Sequence, residues 1–354
     1  MKTYVLTLPL LFFFVVISPG CSKSSTVTPN PPPETNADTF IKGADIGWLP
    51  QMEASGFKFY NNLGVEQDCF QILKDHGINA IRLRTWVNPS NDKASGHCSK
   101  LETVAMAMRA QKMGMKVMID FHYSDSWADP GQQRKPAAWV GHDFATLLED
   151  VYAYTAEVMS LLKTNGIVPD WVQVGNEISN GMIYPEGSLN NWSQLIQLTN
   201  KGYEAVKAVS PTSKVILHVD KGNDNGRFRW WFDNAQSNGA KYDVIGLSYY
   251  PYWLDGKPDY TLSIDDLGNN LLDMVSRYGK EVMVVEVGGE DSKAQNTFDM
   301  IVAVQKMVRA VPQNKGLGVF YWEPEGAKSW SGYSLSAWCD DGKPTMAMKA
   351  FLSK

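Results

Sequence analysis

Two glutamates each close a short apolar run. Glu177 follows Trp171-Val172-Gln173-Val174-Gly175-Asn176, and Glu286 follows Val282-Met283-Val284-Val285. A carboxylate at the end of a buried strand is costly unless it is paired or used. Two opposed carboxylates can divide the labour of glycoside hydrolysis. One gives a proton to the leaving oxygen, and the other attacks carbon or activates water. A salt-bridged structural glutamate is the plainer reading of either. Other polar and aromatic side chains sit at comparable places: Asp45, then Arg82, Arg84 and Trp86, then Asp120 and His122. They continue with His218 and Asp220, with Tyr249, Tyr250, Tyr252 and Trp253, and with Trp322 and Glu323. Any one alone would read as a solvated strand end or a helix cap. Rival chemistries find less support. The five histidines show no HxH or HExxH spacing, and there is no P-loop and no GxSxG turn. Asp224, Asp340 and Asp341 lie in loops that could hold calcium, but solvated turns are the better default.

These residues need a scaffold that brings them together. Eight apolar runs read as buried parallel strands: Ile41–Gly47, Ala80–Trp86, Lys116–His122, Trp171–Glu177, Lys214–Asp220, Val244–Tyr250, Glu281–Val287 and Gly316–Trp322. Helical patterns alternate with them at Asp68–His76, Leu101–Lys112, Asp143–Lys163, Trp192–Val209, Leu267–Tyr278 and Thr297–Val311, with a weaker one at Trp230–Gln236. Most stop at a Gly or Pro. This alternation predicts an α/β fold, a closed (β/α)8 barrel over residues 39–354, whose chemistry gathers at the C-terminal ends of the strands. A doubly wound sheet is the alternative, but no GxGxxG turn follows the first strand. In the barrel, the fourth and seventh strands face each other, so Glu177 and Glu286 can meet across the mouth.

The chain has 354 residues, enough for one such barrel and its leader, and a net charge of −5. An acidic chain is a poor partner for nucleic acid. Its 12 Trp, 15 Tyr and 14 Phe exceed what a core needs, so some are expected to face a sugar. Trp86, Trp253 and Trp322 fall at the mouth and Trp127 near it. Trp171, Trp192, Trp230 and Trp231 read as packing. The N-terminus has the layout of an export signal: Lys2, an apolar run from Leu6 to Ile17, then Ser18-Pro19-Gly20-Cys21. The ending resembles a bacterial lipobox. It predicts cleavage after residue 20, lipidation of Cys21 and membrane anchoring, facing the periplasm or the cell exterior. Residues 21–38, rich in Ser, Thr and Pro, read as a flexible tether. Of the other cysteines, Cys69 reads as a buried thiol, while Cys98 and Cys339 are left open as a possible pair.

Several motifs together resemble glycoside hydrolase family 53, the arabinogalactan endo-β-1,4-galactanases. They are Gly43-Ala44-Asp45-Ile46, Arg82-Leu83-Arg84-Thr85-Trp86-Val87-Asn88-Pro89, the long run from Asp120 to Gly131, Gly175-Asn176-Glu177, Gly246-Leu247-Ser248-Tyr249-Tyr250-Pro251, Val285-Glu286-Val287-Gly288 and Tyr321-Trp322-Glu323-Pro324. The resemblance spans about residues 40–352. It implies a retaining, endo-acting galactanase in which Glu177 is the acid/base and Glu286 the nucleophile. It further implies that Asn176 holds the sugar 2-hydroxyl, and that Arg84 and Tyr249 keep Glu286 ionised. His122, Asp45, His218, Trp86, Trp253 and Trp322 would line the sugar subsites. Bacterial relatives often carry a calcium-binding D-x-D-x-H-x-N run after the seventh strand. The loop here, residues 288–296, lacks it, so no metal and no cofactor are expected. The expected partner is β-1,4-galactan, and the protein is expected to be a monomer. A mannanase or xylanase of the same clan, or a non-catalytic sugar-binding lipoprotein, are the alternatives.

Overall fold

A computed structural model describes residues 1–5 and 40–353. The chain divides into two units, residues 1–39 and 40–354. Most of the signal segment, Cys21 and the tether lie outside the described residues. No described helix is long and apolar enough to cross a membrane.

The second unit is built on eight parallel strands. They are β1 (Ile41–Asp45), β2 (Ala80–Thr85), β3 (Lys116–Phe121), β4 (Trp171–Val174), β5 (Lys214–Val219), β6 (Val244–Tyr249), β7 (Glu281–Val287) and β8 (Gly316–Trp322). Each pairs with its neighbours in sequence, and β1 pairs with β8, so the sheet closes into a barrel. The helices between the strands are α1 (Leu49–Ala54), α2 (Cys69–Asp75), α3 (Lys100–Lys112), α4 (Phe144–Thr164), α5 (Trp192–Val209), α6 (Asn225–Ser237), α7 (Ile264–Tyr278) and α8 (Ala294–Arg309), and a single turn, α9 (Lys328–Ser331), follows β8. The (β/α)8 expectation holds. Helix α1 was not foreseen; Pro50 at its start is pre-set for a first turn. Helix α6 is nearly twice as long as the weak apolar pattern suggested, and Asp224 caps it by accepting from the Arg227 N–H.

Alternation along each strand sorts side chains into two layers. Ile41, Ala80, Met118, Trp171, Ile216, Val244, Met283, Val285 and Phe320 form the buried cluster inside the barrel. The residues that alternate with them, such as Ile81, Leu83, Leu247, Val282 and Val284, belong to the layer beneath the helices. Phe320 fills the barrel so closely that a Cβ on Gly43 would stand 2.1 Å from its ring. On β2 the same parity sends Arg82 and Arg84 inward above Ala80. On β6 it sends Ser248 inward and Tyr249 outward.

Strand β7 breaks this rule where the chemistry lies. Leu247 of β6 is opposite Val284, but Ser248 is opposite Glu286, so one extra residue is inserted at Val285. The pairing with β8 shifts at the same place. Strict alternation would have turned Glu286 outward with Val282 and Val284. The bulge turns it into the mouth, a known use of bulges beside active sites.

Cys69, Cys98 and Cys339 are free thiols, so the pairing left open between Cys98 and Cys339 is not formed. Cys98 is buried, with its Sγ 3.6 Å from the Gly47 carbonyl, whereas Cys339 is exposed.

Candidate active site

Strand β4 ends at Val174, three residues short of the expected Glu177. Gly175 follows with φ +84°, and a Cβ there would meet Ile178 Cγ2 at 2.6 Å. Glu177 itself adopts a left-handed backbone, φ 43° and ψ 52°. Such a conformation costs a non-glycine residue on the order of 1 kcal/mol and tends to mark functional positions. The turn carries the Glu177 side chain off the strand and into the barrel mouth.

There it borders a cavity of about 490 Å³. Glu286, Asn176, His122, Ser248, Tyr250, Asp220 and Lys221 contribute polar groups to its lining. Trp127, Trp253, Trp322 and Tyr333 contribute aromatic ones. Glu177 and Glu286 thus share one cavity, as the barrel topology required.

Arg82 organises the cavity floor. Its Nη1 donates to Asp45 Oδ2 at 2.7 Å and lies 2.9 Å from Glu286 Oε1. Its Nη2 donates to Asp120 Oδ2 at 2.8 Å and to Asn176 Oδ1 at 2.9 Å. One fully buried guanidinium therefore fixes groups from β1, β3, β7 and the end of β4. Removing it would leave the Asp120 and Glu286 carboxylates buried without their guanidinium, and Asp45 with only Arg84 at 3.5 Å, a loss typically of about 3–5 kcal/mol. Asn176 is held from its other end too, donating from Nδ2 to the Ala128 carbonyl at 2.8 Å. Its orientation is therefore fixed from both ends.

The two glutamates have unequal surroundings. Burial raises the Glu177 carboxyl well above the carboxylate range, and the facing charge of Glu286 adds to this. Burial also raises Glu286, but Arg82 opposes the shift. The Tyr250 hydroxyl donates to Glu286 Oε2 at 3.3 Å. The cation and the hydroxyl make Glu286 the group that ionises first. Glu177 then faces an anion and keeps its proton. Asp120, despite burial, is held below the usual range by Arg82 and His122. Burial lowers His218 well below the imidazole range, so it is neutral.

Several sequence-derived assignments need correction. Arg84 and Tyr249 were expected beside Glu286; Arg82 and Tyr250 occupy those places. Tyr249 faces outward, its hydroxyl 2.9 Å from Ser263 Oγ and donating to the Tyr260 carbonyl. Arg84 instead pairs with Glu323 and, at 3.5 Å, with Asp45. Its guanidinium lies 4.7 Å from the Trp127 ring and 5.4 Å from Trp86. Asp45, His218 and Trp86 were expected to line subsites, but all three are fully buried and none borders the cavity. They act from beneath. Asp45 holds Arg82, His218 reaches Ser248, and Trp86 supports the Trp127 ring at 5.1 Å. Asn176, His122, Trp253 and Trp322 do border it. Trp171, Trp192 and Trp231 pack as read, but Trp230 is 49% exposed.

Trp127 and Tyr250, which the sequence placed near the mouth without a specific role, both border the cavity, and so do Ser248 and Tyr333, to which it gave no part. Tyr250 could have been chosen over Tyr249 by counting inward positions from Val244. Tyr333 sits in an irregular loop beyond β8, where no periodicity points to it. Its ring lies 4.8 Å from Trp322, extending the aromatic wall.

The sequence of residues 41–351 matches the family model for glycosyl hydrolase family 53. The chain belongs to glycosyl hydrolase family 53. It is 36% identical to a probable arabinogalactan endo-β-1,4-galactanase A of Neosartorya fischeri, over 82% of this chain and 85% of that protein. It is 34% identical to an endo-β-1,4-galactanase of Bacillus subtilis, over 80% and 70% respectively. The solved family 53 catalytic domain of Ignisphaera aggregans superposes with a TM-score of 0.81 at 30% identity, covering 90% of this chain and 97% of that one. The matched range takes in the whole barrel mouth, including the cavity that Glu177 and Glu286 share.

The parity of β6 makes a paired prediction within this family 53 site. Tyr250→Phe removes the hydroxyl on Glu286 and is expected to lower kcat about 10- to 100-fold, the worth of one hydrogen bond to a charged group. Tyr249→Phe is expected to leave kcat within about twofold and to cost about 1 kcal/mol of stability. Steady-state kinetics and thermal melts on both variants would check this. A larger kcat loss in Tyr249→Phe would refute the assignment.

Proposed function

We propose that this chain is an endo-acting, retaining β-1,4-galactanase, with Glu286 as nucleophile and Glu177 as acid/base. One observation carries the reading. Two carboxyl groups border a single cavity, one held by a guanidinium and a phenol, the other kept protonated by burial and its partner's charge. The galactanase names of the curated relatives support the choice of polymer.

The reaction follows from that asymmetry. The Glu286 carboxylate attacks the anomeric carbon of a galactosyl unit while Glu177 protonates the departing glycosidic oxygen. The bond from that carbon to the oxygen breaks, and a galactosyl ester of Glu286 forms. Glu177, now a carboxylate, takes a proton from water as the water oxygen bonds the same carbon and releases Glu286. Two inversions give net retention. Asn176, fixed by Arg82 and the Ala128 carbonyl, is placed to hold the 2-hydroxyl, a contact that strengthens in an oxocarbenium-like transition state. Trp322, Trp127 and Tyr333 offer flat faces to the apolar side of the sugar. Trp253, 60% exposed at the rim, suits a more distant residue of the polymer. Acid and nucleophile both come from the chain, so the reaction as written needs no metal and no cofactor.

Purified enzyme is expected to release short galacto-oligosaccharides from linear β-1,4-galactan and to leave mannan and xylan nearly untouched. Cleavage of mannan or xylan with none of galactan would reject the reading. A chain that binds galactan without cleaving it would make this a binding protein.

The lipobox-like Ser18-Pro19-Gly20-Cys21 supports an exported, membrane-anchored lipoprotein on a tether of residues 21–38. Labelled palmitate is expected to enter the full-length chain expressed in a bacterial host and not its Cys21→Ser variant. Equal labelling of the two would remove the anchor from the account.

A further inference from the structure

Ser248 lies between the acid/base and a buried histidine. Its Oγ is 2.6 Å from Glu177 Oε1 and 2.7 Å from His218 Nε2. The far side of the imidazole fixes the direction of both bonds. The Glu177 backbone N–H, which cannot rotate away, donates to His218 Nδ1 at 3.3 Å. A Gln173 amide N–H reaches the same nitrogen at 2.9 Å. Asn176 Oδ1 is also near, at 3.1 Å, but it is an acceptor already supplied by Arg82 at 2.9 Å. Nδ1 therefore carries a lone pair. A neutral imidazole of that tautomer bears its proton on Nε2. The Nε2–H donates to Ser248 Oγ, and the single hydroxyl hydrogen of Ser248 is left to donate to Glu177 Oε1.

We propose that Ser248, oriented by His218, is a positioning residue that holds Glu177 Oε1 and so leaves the transferable proton on Oε2. This deepens the galactanase reading and rests on it. An oxygen that already accepts a hydroxyl hydrogen is the poorer place for a proton, so the acid form carries it on the other oxygen. When the Oε2–H bond breaks, its proton goes to the glycosidic oxygen, which keeps the electron pair of the bond it loses. The new negative charge on Glu177 is then met by a hydrogen bond already in place. In the second half of the reaction Oε2 takes a proton from water and the acid is restored. Ser248 keeps its own proton throughout, because His218 stays neutral.

The groups around Glu177 make this contact matter. Glu286 faces it from β7, Asp220 from the end of β5, and Asp129 from the loop after β3. All three disfavour its ionised form, and burial does the same. The Ser248 hydroxyl from β6 is the neighbour that favours it. Removing that hydroxyl must therefore raise the pH at which Glu177 gives up its proton. Activity that needs protonated Glu177 is lost as pH rises through that point, so the alkaline limb moves upward. The acid limb belongs to Glu286, which Ser248 does not bond, and should stay.

The test compares the parent with Ser248→Ala and Ser248→Thr, following kcat/KM on linear galactan against pH. Ser248→Ala is expected to shift the alkaline limb upward by about half to one pH unit, leaving the acid limb in place. Its kcat at the optimum should fall about tenfold with KM nearly unchanged. Ser248→Thr keeps the hydroxyl and should restore the parental limb. An unmoved limb in Ser248→Ala, or equal profiles for the two variants, overturns the proposal while an active parent leaves the galactanase reading intact. A parent inactive on galactan overturns both. Near-ultraviolet circular dichroism confirms that each variant is folded.

Discussion

Replacing Glu286 with alanine is expected to lower kcat on galactan by about five orders of magnitude. Loss of a nucleophile removes the covalent route altogether, and comparable deletions in other covalent enzymes cost about that much. The fold should survive. Arg82 keeps Asp45 and Asp120, so its guanidinium is not left unpaired. The side chain lost borders the cavity, so the space it leaves is open to water. Azide supplied to this variant should enter that space and attack from the nucleophile's side, giving a galactosyl azide of inverted configuration from an activated aryl galactoside. Activity within tenfold of the parent would remove Glu286 from its role.

Glu177→Ala should fail differently. Proton donation contributes about 10²- to 10⁴-fold, and only where the leaving group needs a proton. Cleavage of galactan, whose leaving group is a sugar alkoxide, should fall by about that factor. Formation of the glycosyl-enzyme from a dinitrophenyl galactoside should be nearly unaffected, because that phenolate leaves unaided. The intermediate should then accumulate, since no base remains to activate water. Azide should intercept it with retained configuration, opposite to the Glu286→Ala product. The two variants thus assign the two carboxyl groups independently. An equal loss on both substrates in Glu177→Ala would contradict the acid/base role.

The barrel and both glutamates were legible in the sequence because buried strands and their polar ends differ sharply in residue type. Glu177 stood out against Val172 and Val174, and Glu286 against Val284 and Val285. What could not be read was which way each side chain points. A parallel strand buried on both faces is apolar at every position, so its parity leaves no trace in the pattern. Arg82 and Arg84 both point inward, and only height along β2 decides which reaches Glu286. Tyr249 and Tyr250 are neighbours of the same type, yet alternation from Val244 separates them. The bulge at Val285 is less accessible still. Nothing in Val282-Met283-Val284-Val285-Glu286 says that one residue is extra; the register against β6 and β8 says it.

The aromatic surplus resolves the same way. Tryptophans were expected at the sugar cleft, and Trp127, Trp253 and Trp322 border it. Trp86 lies a layer below and supports Trp127 rather than the substrate. Buried Arg84 lies within 6.0 Å of the rings of Trp48, Trp86, Trp127 and Trp322. Its charge is balanced by Glu323. The wall that would hold the sugar is therefore anchored by a cation behind it, at a spacing suited to cation–π attraction. Sequence placed these residues near the mouth, but only the packing separates those that touch the cavity from those that brace it.

The most direct test of the account is the configuration of the first products. Proton NMR of linear β-1,4-galactan during the first minutes of digestion should show new reducing ends appearing as the β-anomer, with the α-anomer growing in later by mutarotation. New ends that appear first as the α-anomer would mean inversion, with Glu286 activating water instead of bonding carbon, and would contradict the double displacement on which the roles of Glu177, Glu286 and Ser248 depend.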